Sequence, residues 1–137
     1  MIPSHRMPEL VQELVAHHGN GLDAPGLNLA LSLGAAQLIV EETVQAVDLR
    51  IAYVSFAMDS PPVTELEIRF FVDDGGRWIP YGIYRPSQGQ CHYAELDLAQ
   101  RKLTITDVVN QRALADYCEI WTFYLREQGW LEKGVVT

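Results

Sequence analysis

Between Glu65 and Tyr84 the chain alternates apolar and polar residues, reverses at Asp73-Asp74-Gly75-Gly76, and returns through a segment rich in large rings. No other stretch constrains the fold as tightly. Leu66, Ile68, Phe70 and Val72 recur every second residue, with Glu65, Glu67 and Arg69 beside them on the other face, as a half-buried strand requires. Asp and Gly accept the positive φ of a tight reversal, so residues 73–76 predict a hairpin turn. The return strand, Arg77 to Tyr84, contains Pro80, which has no amide hydrogen to give a neighbouring strand. An edge or a bulge is expected there.

The flanking sequence extends this sheet. Asp48 to Met58 is apolar on both faces, Leu49, Ile51 and Tyr53 on one and Ala52, Val54, Phe56 and Met58 on the other, which predicts a central strand. Asp59-Ser60-Pro61-Pro62 ends it. Gln37 to Val44 is rich in β-branched residues and predicts another strand. Upstream, Leu27, Leu29, Leu31 and Leu33 alternate strictly, although Leu27, Ala30, Leu31, Gly34, Ala35 and Leu38 also fit helical spacing. Alternation together with two glycines favours strand. Cys91 to Leu98 and Leu103 to Thr106 predict a second hairpin, turning at residues 99–102, with Ala94, Leu96, Leu98, Leu103 and Ile105 facing in.

Helices bracket the strands. Leu10, Val11, Leu14, Val15 and His18 form a one-sided stripe over Pro8 to His18, stopped by Gly19-Asn20-Gly21. Near the other end, Thr106 or Asp107 can cap a helix whose apolar stripe is Leu114, Tyr117, Cys118, Trp121, Tyr124 and Leu125. Arg112, Asp116, Glu119, Arg126 and Glu127 lie opposite or flanking. Gly129 suits the left-handed position after the last turn, with Trp130 folding back on it. The expected architecture is one α+β domain over residues 1–137. It has an N-terminal helix, an antiparallel meander of five to seven strands, and a long C-terminal amphipathic helix packed on the sheet.

Charge and cysteine usage narrow the function. Ten Lys and Arg stand against 18 Asp and Glu, a formal net charge of −8, which repels polyanions and argues against direct nucleic-acid binding. Cys91 and Cys118 share no metal-ligand spacing and read as reduced thiols. The amino terminus has no signal-peptide apolar core, and Ala24 to Val40 is too short and interrupted to span a bilayer. A cytoplasmic protein without membrane association is expected.

Four groups of side chains bear chemistry. His17-His18 and Cys91-His92 would form a metal site only by meeting across the fold, and helix-end histidines more often serve the helix dipole, so no metal is expected. Glu65, Glu67, Glu95 and Asp97 are paired carboxylates, but alternating acids opposite an apolar face describe a solvated sheet surface. Ser55, Ser60 and Ser87 lack a nucleophile elbow, and no glycine loop of phosphate-binding type is present, so no cofactor is expected. The aromatic tract has bulk on both of its faces. Phe71, Arg77, Trp78, Tyr81, Tyr84 and Arg85 are residue types that dominate binding surfaces.

Those features favour a non-catalytic protein-interaction module (an adaptor, chaperone-like or inhibitor protein) that uses this aromatic sheet face and forms a homodimer. A competing class is a small ligand-binding domain or enzyme with a pocket between sheet and C-terminal helix, lined by Tyr53, Cys91, His92, Glu95 and Tyr117. A third is an acidic decoy of a nucleic-acid-binding protein, which would need most of Glu41, Glu42, Asp48, Glu65, Glu67, Asp73, Asp74, Glu95 and Asp97 along one face. No motif supports a resemblance to a known family.

Overall fold

The computed structural model describes residues 1–18, 27–42 and 47–137. In chain order the elements are α1 (Arg6–His18), β1 (Asn28–Leu33), β2 (Ala36–Glu42), β3 (Asp48–Ser55), β4 (Val63–Val72), β5 (Trp78–Arg85) and β6 (Gly89–His92). There follow β7 (Ala94–Asp97), β8 (Lys102–Ile105), α2 (Val108–Gln128), the single turn α3 (Trp130–Lys133) and β9 (Val135–Val136). The architecture is the expected α+β one. Seven antiparallel strands run in the order β6-β5-β4-β3-β2-β1-β9, and β7 with β8 forms a separate hairpin.

β3 occupies the centre of the large sheet, as its two apolar faces require. The ambiguous leucine tract is strand. β1 and β2 turn at Gly34, whose φ of 60° suits glycine, and strict alternation buries Leu29 and Leu31. The glycine stop at residues 19–21 and the end of the second predicted strand, Thr43-Val44, lie outside the described residues.

Two cores hold the molecule together. The larger lies between the sheet and the helices and joins Met7, Leu10 and Leu14 to Leu31, Leu38, Ile51, Ile68 and Phe70, and to Leu114, Cys118, Leu125 and Trp130. Both helices turn most of their predicted stripes toward it, but Tyr124 of the α2 stripe is 57% exposed. Asp107 caps α2, its Oδ1 accepting the Asn110 amide at 3.0 Å, and Gly129 at φ 88° ends it with its N–H donated to the Arg126 carbonyl. Hydrogen bonds with the Asn110 amide and carboxamide hold the Asp107 carboxyl below its ordinary pKa. The smaller core, Val47, Phe71, Ile79, Tyr81, Ala94 and Leu103, is covered by the β7–β8 hairpin.

Several boundaries and faces differ from expectation. β3 stops at Ser55, and Met58 is 92% exposed, because the chain enters the 56–62 turn, where Asp59 adopts φ 63°. Cys91 to Leu98 is two strands, not one. The Tyr93 amide donates to the Tyr81 carbonyl at 2.8 Å while its own carbonyl accepts from Thr106 and Asp107, so the backbone leaves one sheet and enters the other there. Pro80 marks a bulge rather than an edge, since β5 lies between β4 and β6. Opposite Arg69 stands Gly82 and opposite Phe70 stands Pro80, which leaves Tyr81 as the extra residue.

Candidate functional site

That bulge decides where the aromatic tract goes. One inserted residue reverses the in-out phase of the strand beyond it. Trp78 packs on the helix side, its ring 5.7 Å from Phe70. Ile79 and Tyr81 point under the β7–β8 hairpin with Phe71. Past the bulge Ile83 joins the main core, and Arg85 lies over the Tyr117 ring at 4.7 Å. Tyr84 stands half-buried opposite Glu67. Arg77 is exposed and ion-paired with Asp73 inside its own turn at 2.7 Å. Phe71 and Tyr81, expected outside, are each only 5% exposed. The six residues therefore do not share one surface.

The five residues of the competing pocket are also divided. Tyr53 meets Trp130 edge to face at 6.1 Å, under α3. Cys91 packs against the main core, while His92 is exposed beside Tyr81 at 5.9 Å and shares an open groove with Glu95, Leu96 and Thr106. Gly82 makes room for that ring, because a Cβ there would stand 2.7 Å from His92 Cδ2. Only Tyr117 lines the space between sheet and α2. The structure does contain a cavity there, of about 200 Å³, walled by Ile83, Arg85, Tyr93, Asn110, Ala113, Leu114 and Tyr117. Burial raises the Tyr93 phenol above its ordinary pKa, and the adjacent Cys91 adds to that.

A ladder of charge crosses the middle of the sheet. Arg50 and Arg69 stand directly opposite one another on β3 and β4, an unfavourable like-charge pairing unless something bridges it. Glu67 does so, one oxygen on Arg50 Nε and the other 3.6 Å from Arg69 Nε. Glu41 takes the far side of Arg50. At the other end Asp48 accepts from Arg69 at 3.2 Å and from the Tyr81 hydroxyl at 2.8 Å. Burial and the Asp48 carboxylate together push the Tyr81 phenol far above its ordinary pKa. Glu67, expected to face solvent, is buried because it is a shared counter-ion. Four acids that a phosphate-mimicking face would need, Glu41, Asp48, Glu67 and Asp73, are thus in ion pairs with arginine.

Several of the remaining reactive groups are tied into structure. His17 and His18 stack edge to face, and His18 Nε2 bonds the Leu131 carbonyl at 3.1 Å. Glu65 accepts from Ser55, and Asp97 caps the 98–101 turn through the Gln100 amide. Among the described residues no three His, Cys, Asp or Glu side chains gather where they could hold a metal ion. Among the described residues, too, no helix is long and apolar enough to cross a membrane.

Cys118 is fully buried between α2 and the amino terminus, and burial pushes its thiol up to about 12. The folded state therefore holds a proton that the unfolded chain releases near pH 9. The contribution of this thiol is constant below that value and falls as pH rises through the window from 9 to 12, by at most about 1.4 kcal/mol per pH unit. Urea midpoints should accordingly drop between pH 9 and 10, before Tyr81 contributes. Cys118→Ala should flatten that drop, and an unchanged slope would refute the assignment.

One surface escaped the sequence. Ile120, Phe123 and Tyr124 project from the outer side of α2 at 53%, 50% and 57% exposure, and the Phe123 and Tyr124 rings contact one another at 5.8 Å. Tyr124, expected in the inward stripe, lies four residues beyond Ile120 and shares its exposed face. The signal was present as i, i+3 and i+4 spacing on the face opposite Leu114, Cys118 and Leu125. Val109, Asp116 and Glu127 continue the same exposed line. Compared with protein-family models, with curated proteins and with solved structures, the chain matches none of them.

Proposed function

We propose that this chain is a non-catalytic protein-interaction module whose contact surface is the outer face of α2 and whose partner is a second copy of itself. The observation that carries it is the Ile120–Phe123–Tyr124 cluster, apolar and exposed on a helix whose opposite face is core. Charge layout supports self-pairing. An antiparallel crossing centred on Ile120 sets exposed Arg112 beside the partner's Glu127, and exposed Asp116 beside the hydroxyl of the partner's Tyr124. Twofold symmetry repeats both contacts, as closed dimers require. The aromatic tract then serves the interior of the monomer, where Trp78, Phe71 and Tyr81 fill the two cores.

Sedimentation velocity of the intact chain tests this. The 15.4 kDa monomer should give way to a dimer with a midpoint on the order of 10 µM, in keeping with a small interface. Ile120→Glu should weaken that association by about tenfold or more while leaving the far-ultraviolet circular dichroism unchanged, since burying an unpaired carboxylate is costly. A strict monomer at about 200 µM, or an Ile120→Glu dimer as tight as the wild type, would sink the proposal.

A further inference from the structure

The cavity beneath α2 contains a cation without a counter-ion. Arg85 is half-buried in a chain of net charge −8, yet among the described residues no carboxylate lies within ion-pair distance of it and no hydrogen bond uses its guanidinium. Its partner is a ring. The guanidinium carbon sits 4.7 Å from the centroid of Tyr117. A ring contact of this kind uses no hydrogen-bond acceptor, and the guanidinium carries its five N–H donors in a planar fork. The arrangement leaves a planar fork free, the geometry that matches a carboxylate bidentately.

The rest of the wall fits the same kind of ligand. Tyr93 brings a phenol hydroxyl, while Ile83, Ala113 and Leu114 bring apolar surface. Asn110 is held in place by Asp107, to which its carboxamide donates at 2.7 Å. A volume of about 200 Å³ is below the roughly 300–1,000 Å³ of sites for drug-sized molecules, so the occupant is small. We infer that this cavity binds a small monocarboxylate with an apolar body, its carboxylate on Arg85 and Tyr93 and its body against Ile83 and Leu114. Such a site is independent of self-association through the outer face of α2.

Benzoate is the probe, titrated into the isotope-labelled full chain and followed by amide chemical shifts. Saturable shifts at Arg85, Tyr93, Asn110, Ala113 and Tyr117 are expected, with a dissociation constant of about 0.1–1 mM for so few atoms. Benzamide, equal in shape but uncharged, should bind about tenfold more weakly or worse, since charge-assisted hydrogen bonds are stronger than neutral ones. Arg85→Gln should lose benzoate binding by about tenfold or more while the spectrum elsewhere stays that of the folded chain. Shifts that stay linear to about 20 mM, or equal binding by Arg85→Gln, would overturn the inference. Tighter binding of inorganic phosphate than of benzoate would overturn it as well, because the apolar wall would then contribute nothing.

Discussion

Trp130→Ala is expected to lower the unfolding free energy by about 3–5 kcal/mol, the cost of deleting a large buried ring where the surroundings relax only partly. Trp130 is 1% exposed and lies in the main core with residues of α1, β1 and α2. Its ring meets Tyr53 edge to face, and its indole N–H is donated to Gln128 Oε1 at 2.9 Å. The sequence gap between the end of α2 and this ring is a single glycine. Gly129 reverses the chain so that the indole returns to the sheet. Trp130→Phe keeps a ring but loses the donor and part of the volume, and should cost about 1–2 kcal/mol. Equilibrium urea unfolding measures both. A loss below about 1 kcal/mol for the alanine variant would mean that the ring is not in the core.

The second large effect is expected at Asp48. Its carboxylate accepts from Arg69 and from Tyr81, whose hydroxyl is sealed under the β7–β8 hairpin. Asp48→Ala leaves that hydroxyl without this acceptor and leaves Arg69 with Glu67, already shared with Arg50. Removing one partner of a largely buried ion pair costs about 3–5 kcal/mol, and partial exposure of Arg69 places the expected loss at the low end, about 3 kcal/mol. A double-mutant cycle isolates the cause. Asp48→Ala combined with Tyr81→Phe should be less destabilising than the sum of the two single changes, by about 1 kcal/mol or more, because no orphan hydroxyl remains. Strict additivity would show that Asp48 acts without Tyr81.

Much of this was readable in the chain because the relevant signals are local. The alternation of Leu66, Ile68 and Phe70 set β4 by itself, and Asp73–Gly76 set the turn that follows it. Leu10 and Leu14, and likewise Leu114, Cys118 and Leu125, announced which helix faces would be buried. Asp107 announced where α2 begins. Each of these depends on spacing along a few residues, which the pleat and the helical period convert directly into a face.

Faces and partners beyond that range were not readable. Trp78 and Tyr84 have the same parity, so alternation assigns them to one side, but the extra residue Tyr81 separates them. Arg50, Arg69 and Glu67 look like scattered surface charges until β3 pairs with β4 and sets the arginines opposite one another. The cavity at Arg85 exists only because a bulge in β5, the turn at Tyr93 and the inner edge of α2 meet.

What the amino-acid sequence determined alone was the kind and order of the elements and the inward face of each regular one, because periodicity is a property of neighbours. The tertiary structure alone decided strand register, the phase switch in β5, the charge ladder and the cavity. Those depend on pairing between residues far apart in the chain, where a single inserted residue turns one side of a strand into the other.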